Sequence, residues 1–516
     1  MWSLLGQVSF YILPLILGAA FLLIKWYKCS PPNTTNNLPP SPPRLPLIGN
    51  LHQLKGTVHE AFESIAKRYG DPRGLVLIYV GTVPSLVVST TEAAREIMKT
   101  NDIAFADRPP TRMFKELSYN LKDATVSPYG EHWRQVKSIL TLHILSAKTV
   151  QTFDAMRQRI IAGYVSEINQ CFMSNKLVEL TSMSLKVTND ITCMAAFGRT
   201  YNDGEIGKKF LKLMKELSVV LGSFYFEDSI PQLAVVDVIR GLRAKVNRVA
   251  VTLDAFLSGA VEERLARTSP DPVVAEDGFT PFIDALLQIQ KDDSTGVSID
   301  SDILKALLLN VYVAATDTSA AVIQWAMTEF LINPDIMKKA KDEVNTVLKG
   351  KKGNITSEDL EKMTYLKAVI METTRLHPPL PILLPRVARE DVNVMGYDIA
   401  EGTRVYVNVY AIMKDPKVWD NPDKFMPERF LNSSSSTDFV RHNFELLPFG
   451  AGRRGCPGRG FAMAVDELTL ATFLYKFDWS LPPGVSPQDV DMEGTFGLGN
   501  HKKVPLLAVG KPSSNY

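Results

Sequence analysis

One cysteine near the end of the chain lies in the stretch whose composition best suits metal chemistry. Cys456 stands in the segment FGAGRRGCPG, residues 449–458, among four glycines and two arginines and directly before an amphipathic run. Glycine lets a backbone approach a bound group closely, and the thiolate is the form of cysteine that binds metals. A helix beginning near Pro457 would stabilise negative charge on the sulfur. These residues predict that Cys456 is a thiolate ligand to an iron.

Two other interpretations of this segment stay open at this point. Gly450, Gly452 and Gly455 have the GxGxxG spacing of a dinucleotide-binding turn. That turn has meaning only between a strand and a helix with further βαβ units after it, and the chain ends too soon after Gly455 for such a fold. The other alternative is a buried, unreactive cysteine in a turn. A structural zinc site is disfavoured, because the four cysteines include no CxxC pair.

The longest apolar run of the chain, residues 303–332, contains a second group of reactive side chains. Asp302 is its predicted N-cap and Pro334 its predicted stop. Asp317 and Thr318 interrupt the apolar pattern. An ionised aspartate is costly to bury without a partner, and a threonine hydroxyl can bond the carbonyl one turn back and loosen the helix. Both together indicate a place where water or oxygen enters, the alternative being a core helix with one polar kink.

Taken with Cys456, these patterns resemble the motifs of the cytochrome P-450 superfamily. Residues 449–458 fit the family's haem-binding pattern F-x-x-G-x-R-x-C-x-G. Its fixed positions are filled by Phe449, Gly452, Arg454, Cys456 and Gly458. The segments FADRP at 105–109 and RLHPP at 375–379 look most like the plant A-type clan. The resemblance implies that Cys456 is the axial ligand of a haem b iron.

Three more motifs occur in the family's order. Asp317 and Thr318 resemble its acid–alcohol pair for oxygen activation, with Ala315 where the family usually has glycine. The resemblance further implies a buried structural cluster and a set of partners for the haem propionates. The cluster consists of Glu372, Arg375 and Arg429. The propionate partners are Trp133, Lys137, Arg386 and Arg454. Lys137 departs from the family's usual arginine, and lysine lacks the bidentate fork.

The implied activity is that of a haem-thiolate monooxygenase. One atom of O2 enters a hydrophobic plant metabolite of the terpenoid, coumarin, alkaloid or flavonoid type, and the other leaves as water. Electrons come from NADPH through a partner reductase, with cytochrome b5 as an additional candidate donor. Two alternatives stay open: a haem-thiolate isomerase or dehydratase that needs no reductase, and a non-catalytic haem carrier or sensor.

Family position also predicts a mostly apolar substrate pocket. Its segments are 110–125, 221–232, 309–315, 380–384 and 494–499, with Phe224, Phe226 and Phe496 available for stacking. The individual residues expected to line it are Leu309, Ala314, Ala315, Leu380, Ile382, Leu384 and Phe496.

The N-terminus predicts a membrane anchor. Residues 2–24 carry no charge and are long enough to span a bilayer as a helix, and Lys25 and Lys28 follow at once, which places the following chain in the cytosol. A cleaved signal peptide is the alternative, but it needs a basic start and a shorter apolar core. We expect an anchor at 2–24, a basic and proline-rich hinge at 25–50 and a catalytic domain at 51–516. The predicted location is the endoplasmic reticulum membrane, with a lumenal N-terminus.

The elements that must position these residues are mainly helical. The spacing of apolar residues predicts helices over most of 131–265 and after Cys456, with short strands near 75–89, 392–410 and 504–509. The expected fold class is therefore α+β, mainly α with a smaller β-sheet region. Lys and Arg total 57 against 56 Asp and Glu, a balance that gives no support for nucleic-acid binding.

Overall fold

The computed structural model describes residues 18, 37–201, 204–266, 278–291, 299–351, 353–431, 444–495 and 499–513. Apart from Gly18, the predicted anchor lies outside these residues, as do the start of the hinge and Phe496. Within them, Ser301–Ile332 is the one helix that is long and apolar enough to cross a bilayer, and most of it is buried in the protein.

The described chain is mainly α-helical. Its α-helices are α1 (Val58–Tyr69), α2 (Thr91–Arg95), α3 (Arg112–Leu117), α4 (Glu131–Ser138), α5 (Ala147–Thr152), α6 (Asp154–Met173), α7 (Leu180–Phe197), α8 (Gly204–Leu221), α9 (Ala234–Ile239), α10 (Leu242–Leu265), α11 (Phe282–Lys291), α12 (Ser301–Ile332), α13 (Pro334–Val347), α14 (Ser357–Lys362), α15 (Thr364–Leu376), α16 (Val409–Met413) and α17 (Arg459–Lys476). Helices α2 and α4 continue as π-helical turns at Glu96–Thr100 and Ile139–Ile144. Short 3₁₀ turns occur at Leu51–Gln53, Pro231–Leu233, Pro427–Phe430 and Pro487–Asp489.

The described strands form small sheets at the side of the helical body. They are β1 (Leu75–Val80), β2 (Val83–Val88), β3 (Val178–Glu179), β4 (Arg386–Val387), β5 (Val392–Val394), β6 (Tyr397–Ile399), β7 (Arg404–Val407), β8 (Phe477–Ser480) and β9 (Leu507–Pro512). The largest sheet has the order β1-β2-β7-β4, in which β2 and β7 run parallel and the other pairs antiparallel. Strands β3, β9 and β8 form a second sheet, and β5 with β6 a hairpin. The expected α+β class is confirmed.

Helix α12 crosses the centre of the molecule, and it packs against α7, α15 and α17. Its N-cap is Asp300 and not the predicted Asp302, because Asp300 has an extended backbone and its side chain accepts from the Ile303 amide at 2.7 Å. Asp302 lies within the first helical turn and instead pairs with Lys122 at 2.8 Å. The helix ends at Ile332, and Pro334 opens the next helix, since proline fits the first helical position but not the interior.

Candidate active site

Cys456 lies in the loop that leads into α17. The loop is closed by a hydrogen bond from the Cys456 amide to the Phe449 carbonyl at 2.9 Å. Gly458 is the N-cap of α17. The Cys456 side chain is open to an internal cavity and is otherwise surrounded by protein. This burial raises the pKa of the thiol, while the Gly458 amide, which donates to the sulfur, and the charge of Lys137 act in the opposite direction.

Gly452 occupies a position where the loop packs tightly. Its φ is +69°, and a Cβ there would lie 2.2 Å from the Met98 carbonyl oxygen and 2.6 Å from Asp102 Oδ1. The position requires glycine because the loop packs against residues 98–102. Gly458, by contrast, does border the cavity near Cys456 Sγ.

The cavity lies between the Cys456 loop and α12. Its wall on α12 repeats with helical spacing, because residues three and four apart share one face. That wall consists of Asn310, Val311, Ala314, Ala315, Thr318, Ser319 and Val322. Other apolar residues come from the segments after α4 and after α15, from the Cys456 loop and from α17; they include Leu140, Leu145, Leu380, Leu383, Leu384, Phe449 and Phe461. A flat, mostly apolar group facing the sulfur would be enclosed on both faces.

Buried cations line one end of this cavity. The hydrogen bonds that Arg454 makes within the described chain go to the carbonyl oxygens of Ala106, Ala124 and Ser127, at 2.6, 3.4 and 2.5 Å. Lys137 Nζ donates to the Gly455 carbonyl at 2.8 Å. Burial lowers the pKa of Lys137 to about 8 and that of Arg454 to about 10. Neither side chain makes a hydrogen bond to a carboxylate among the described residues.

Arg108 is a further cation at this end that sequence reasoning missed. It lines the cavity and donates to the carbonyl oxygens of Thr125, Leu384 and Pro385. Burial lowers its pKa well below the ordinary range, and the neighbouring charges of Arg386 and Arg454 lower it further. The available signal was the FADRP segment, which served only as a mark of the plant clan.

The remaining expected propionate partners also border the cavity, although each already has a partner. Arg386 pairs with Asp102 at 3.1 Å and donates to the Ala451 carbonyl at 2.9 Å. The Trp133 indole donates to the Ala124 carbonyl at 3.0 Å. A haem fits this arrangement, because Cys456 offers a thiolate ligand for its iron and its two carboxylates would complete the hydrogen bonding of Arg108, Lys137 and Arg454.

The side chains of Asp317 and Thr318 lie in different surroundings. Thr318 lines the cavity, and its hydroxyl donates to the Ala314 carbonyl at 2.7 Å, the back-bond expected from sequence. Asp317 is not among the cavity residues. It turns toward the C-terminal loop, where its Oδ1 lies 2.8 Å from His501 Nε2. Sequence reasoning missed His501, since nothing in the local pattern links it to Asp317.

Some of the residues predicted for the substrate pocket do not line this cavity. Ala314, Ala315, Leu380 and Leu384 border the cavity as expected. Leu309 is buried in the main core instead, because the cavity face of α12 is set by the 311–314–315–318 spacing. Ile382 packs against the cluster of α1 and the sheet, and Leu383 takes its place. Phe496 lies outside the described residues.

Of the three phenylalanines predicted for stacking, Phe224 and Phe226 lie among the described residues, and neither lines the cavity. Phe224 and Phe226 pack edge to face on each other, with ring centroids 5.3 Å apart, and Phe224 is 39% exposed. No residue of 221–232 is among those that line the cavity. The exposed position favours a surface role for this loop over a contact with substrate.

The predicted Glu-Arg-Arg cluster forms as expected beneath the site. Glu372 and Arg375 are fully buried and joined by two hydrogen bonds of 2.7 and 2.9 Å. Arg429 donates to Glu372 Oε1 at 3.1 Å and to the carbonyls of Asp420, Asn421 and Lys424. The cluster ties α15 to the segment before the Cys456 loop.

Comparison with known proteins agrees with this fold. The family model described as Cytochrome P450 matches residues 39–508. Cytochrome P450 736A117 of Prunus mume is 43% identical, covering 99% of this chain and 97% of that protein. Tabersonine/lochnericine 19-hydroxylase of Catharanthus roseus is 42% identical, with 99% of both chains covered. Strychnine-11-hydroxylase of Strychnos nux-vomica is 40% identical, covering 96% and 95%.

The chain therefore belongs to the cytochrome P450 family. A solved zebra fish cytochrome P450 with abiraterone has the same fold, with a TM-score of 0.73 and 24% identity over 88% of this chain and 99% of that one. Membership makes the protein an oxidoreductase, a haem-iron monooxygenase that uses O2, takes electrons from a redox partner and acts on a hydrophobic substrate.

Proposed function

We propose that Cys456 is the axial thiolate of a haem b and that the cavity beside it is the oxidation site. The observation that carries this proposal is a cysteine sulfur on the wall of an apolar internal cavity whose end is lined by Arg108, Lys137 and Arg454. When bound, the haem supplies oxygen activation, which thiolate ligation favours. Phe449, Gly452, Arg454 and Gly458 shape the loop that holds Cys456.

The cations at the end of the cavity bind the haem propionates. Lys137, Arg386 and Arg454 were expected for this role, and Arg108 joins them because it has the same surroundings. Trp133 contributes its ring, over which the Arg454 guanidinium lies 4.5 Å from the centroid. Burial disfavours the charged forms of these cations, and the two propionate carboxylates would stabilise them.

We assign to Asp317 and Thr318 the delivery of the protons that the reduction of O2 needs. Thr318 lines the cavity, and Asp317 is the neighbouring acid on the same helix. Ala315 borders the cavity between Ala314 and Thr318. Its methyl group narrows the space at the point where Thr318 turns its hydroxyl into the helix.

The substrate is a hydrophobic plant specialised metabolite, of the alkaloid or terpenoid classes in the first place and otherwise a coumarin or flavonoid. Two relatives carry the names of alkaloid hydroxylases. The mostly apolar cavity supports this class. Its polar groups include Thr125 and Asn310, joined at 3.0 Å, so the substrate meets one polar wall. A screen of such compounds for a type I difference spectrum identifies the class.

The carbon monoxide spectrum of the reduced protein tests the haem-thiolate assignment. The wild-type protein should absorb at the long-wavelength thiolate position, and Cys456→Ala should abolish that band. Cys171→Ala is the matched control and should keep it, since Cys171 lies on α6 away from the cavity. A wild-type protein without the band would refute the assignment. A protein with the band that consumes no NADPH with reductase present would instead favour the isomerase or carrier.

Electrons reach the site from an NADPH-dependent reductase, with cytochrome b5 as a second donor. Arg453 and Arg459 lie beside the Cys456 loop, and the Arg453 side chain is 42% exposed while it pairs with Asp102. Reversing both charges should slow reductase-driven reduction and leave dithionite reduction unchanged. Unchanged reduction by reductase would remove these arginines from the docking surface.

The protein is anchored in the endoplasmic reticulum membrane by residues 2–24, with residues 25–50 as a hinge and 51–516 as a cytosolic catalytic domain. Apolar side chains support a membrane face next to the hinge. Leu45 is 47% exposed, and Val235 and Ile239 on α9 are 59% and 79% exposed. Asn354 tests the orientation, because it is exposed and begins an N-x-T sequon. Sugar on Asn354 would show that the body is lumenal.

A further inference from the structure

The contact between Asp317 and His501 joins the centre of α12 to the C-terminal loop. His501 Nε2 lies 2.8 Å from Asp317 Oδ1. The other carboxylate oxygen lies against Gly499, where a Cβ would approach Oδ2 to 2.3 Å. The backbone of the loop is held as well, since the Trp325 indole donates to the Asn500 carbonyl at 2.7 Å. Asp317 therefore rests in a defined place outside the cavity.

The hydrogen bonds around His501 assign its tautomer. Its Nδ1 lies 2.6 Å from Gln324 Nε2, and Gln324 is fully buried. The Lys502 amide donates to Gln324 Oε1 at 3.3 Å, so the amide oxygen faces Lys502 and the NH2 group faces the imidazole. His501 Nδ1 must then accept, and the ring proton is on Nε2, where it is donated to the Asp317 carboxylate.

We infer that His501 is a positioning residue that holds the Asp317 carboxylate in its resting orientation for the oxygenation reaction. It does not carry protons itself, because Nδ1 is occupied by an amide donor that cannot release a proton. This inference rests on the proposed role of Asp317 as the acid that supplies protons for the reduction of O2.

The orientation of Asp317 affects whether the reduction of O2 yields hydroxylated product or H2O2. In the productive reaction, O2, two electrons and two protons convert a substrate C–H into C–OH with release of water. When the protons arrive in the wrong place, the same two electrons and two protons reduce O2 to H2O2, and the substrate C–H is left unchanged. A carboxylate that has lost its fixed orientation delivers protons less reliably, and misplacing a catalytic group by about 1 Å can cost about 100-fold.

Two substitutions at His501 separate positioning from proton transfer. A glutamine amide can place an N–H donor near the position of His501 Nε2 but cannot carry a proton onward. His501→Gln should therefore keep product formed per NADPH within about twofold of wild type. His501→Ala should lower it about tenfold and raise H2O2 release, with the type I substrate dissociation constant unchanged. The full-length protein with reductase is used throughout.

Each outcome supports or overturns the inference. Wild-type coupling in His501→Ala overturns it, and so does a His501→Gln variant as poor as His501→Ala, because that result marks a proton carrier. If His501→Ala loses the carbon monoxide band, that variant is not correctly folded, and the product formed per NADPH by His501→Gln decides the question. Asp317→Asn tests the underlying proposal separately: full coupling in that variant removes the role of Asp317, whereas His501→Ala added to an uncoupled Asp317→Asn should have no further effect.

A spectroscopic measurement checks the tautomer without turnover. Nitrogen-15 histidine spectra of the diamagnetic ferrous carbon monoxide form, assigned by comparison with His501→Gln, should show a neutral ring protonated at Nε2. A doubly protonated ring or the Nδ1–H tautomer at neutral pH would overturn the assignment.

Discussion

Replacing Glu372 with glutamine tests whether the buried cluster stabilises the fold through its charge. Glu372 Oε1 accepts from Arg375 Nη2 at 2.9 Å, Arg429 Nε at 3.1 Å and the Met426 amide at 2.8 Å, and Oε2 accepts from Arg375 Nε at 2.7 Å. In either orientation the glutamine NH2 meets a donor. The better orientation keeps the three bonds to Oε1 and turns the NH2 group against Arg375 Nε.

The expected loss is large because Arg375 is left buried without its counter-charge. Breaking a buried pair by removing one partner costs about 3–5 kcal/mol. Folded proteins are stable by about 5–15 kcal/mol, so Glu372→Gln should lower the free energy of unfolding by a large fraction of the total. Urea denaturation of the detergent-solubilised protein, followed by circular dichroism, measures this free energy.

Glu428→Gln is the matched control in the adjoining turn. Glu428 accepts from Lys339 at 2.8 Å, with side chains that are 42% and 61% exposed. Exposed pairs contribute about 0–1 kcal/mol, so this variant should be close to wild type. A loss in Glu372→Gln no larger than that in Glu428→Gln would refute the argument from burial and charge.

Three further predictions concern the cavity and its loop. Burial lowers the pKa of Lys137 to about 8, so its positive charge is lost as pH rises through that value. Haem uptake by the haem-free protein should therefore fall about tenfold from pH 7 to 9. Haem uptake by the Lys137→Arg variant should stay nearly constant over the same range. Asp466 is 2% exposed, and burial raises its pKa well above the ordinary range. The folded state holds the Asp466 proton more tightly, so stability falls by about 1.4 kcal/mol per pH unit as pH rises from the ordinary pKa toward the folded one. Asp466→Asn should lack this fall above pH 5 in urea titrations, and parallel curves would contradict it. Gly452→Ala should reduce haem content severely, since its Cβ would lie 2.2 Å from the Met98 carbonyl, while Gly460→Ala, whose Cβ meets nothing within 4 Å, should not.

Local sequence was informative wherever the chemistry depends on neighbours in the chain. Thr356 and Asp359 form a capping box, whose two partners lie within one helical turn of each other. Glu372 and Arg375 meet on one face of α15 for the same reason. The position of Cys456 just before a helix also followed from its own segment.

Tertiary structure decided the rest, because the decisive contacts join distant segments. His501 lies 184 residues from Asp317, and only the fold brings the C-terminal loop to α12. The phase of α12 decided that Val311 borders the cavity and Leu309 does not. In the sequence, Arg108 is an ordinary charged residue. It becomes a candidate site residue only because the fold buries it in the cavity wall near Arg386 and Arg454. The sequence determined the family and predicted both Cys456 as the thiolate and the cluster around Glu372, whereas the packing of remote segments determined which side chains share the cavity.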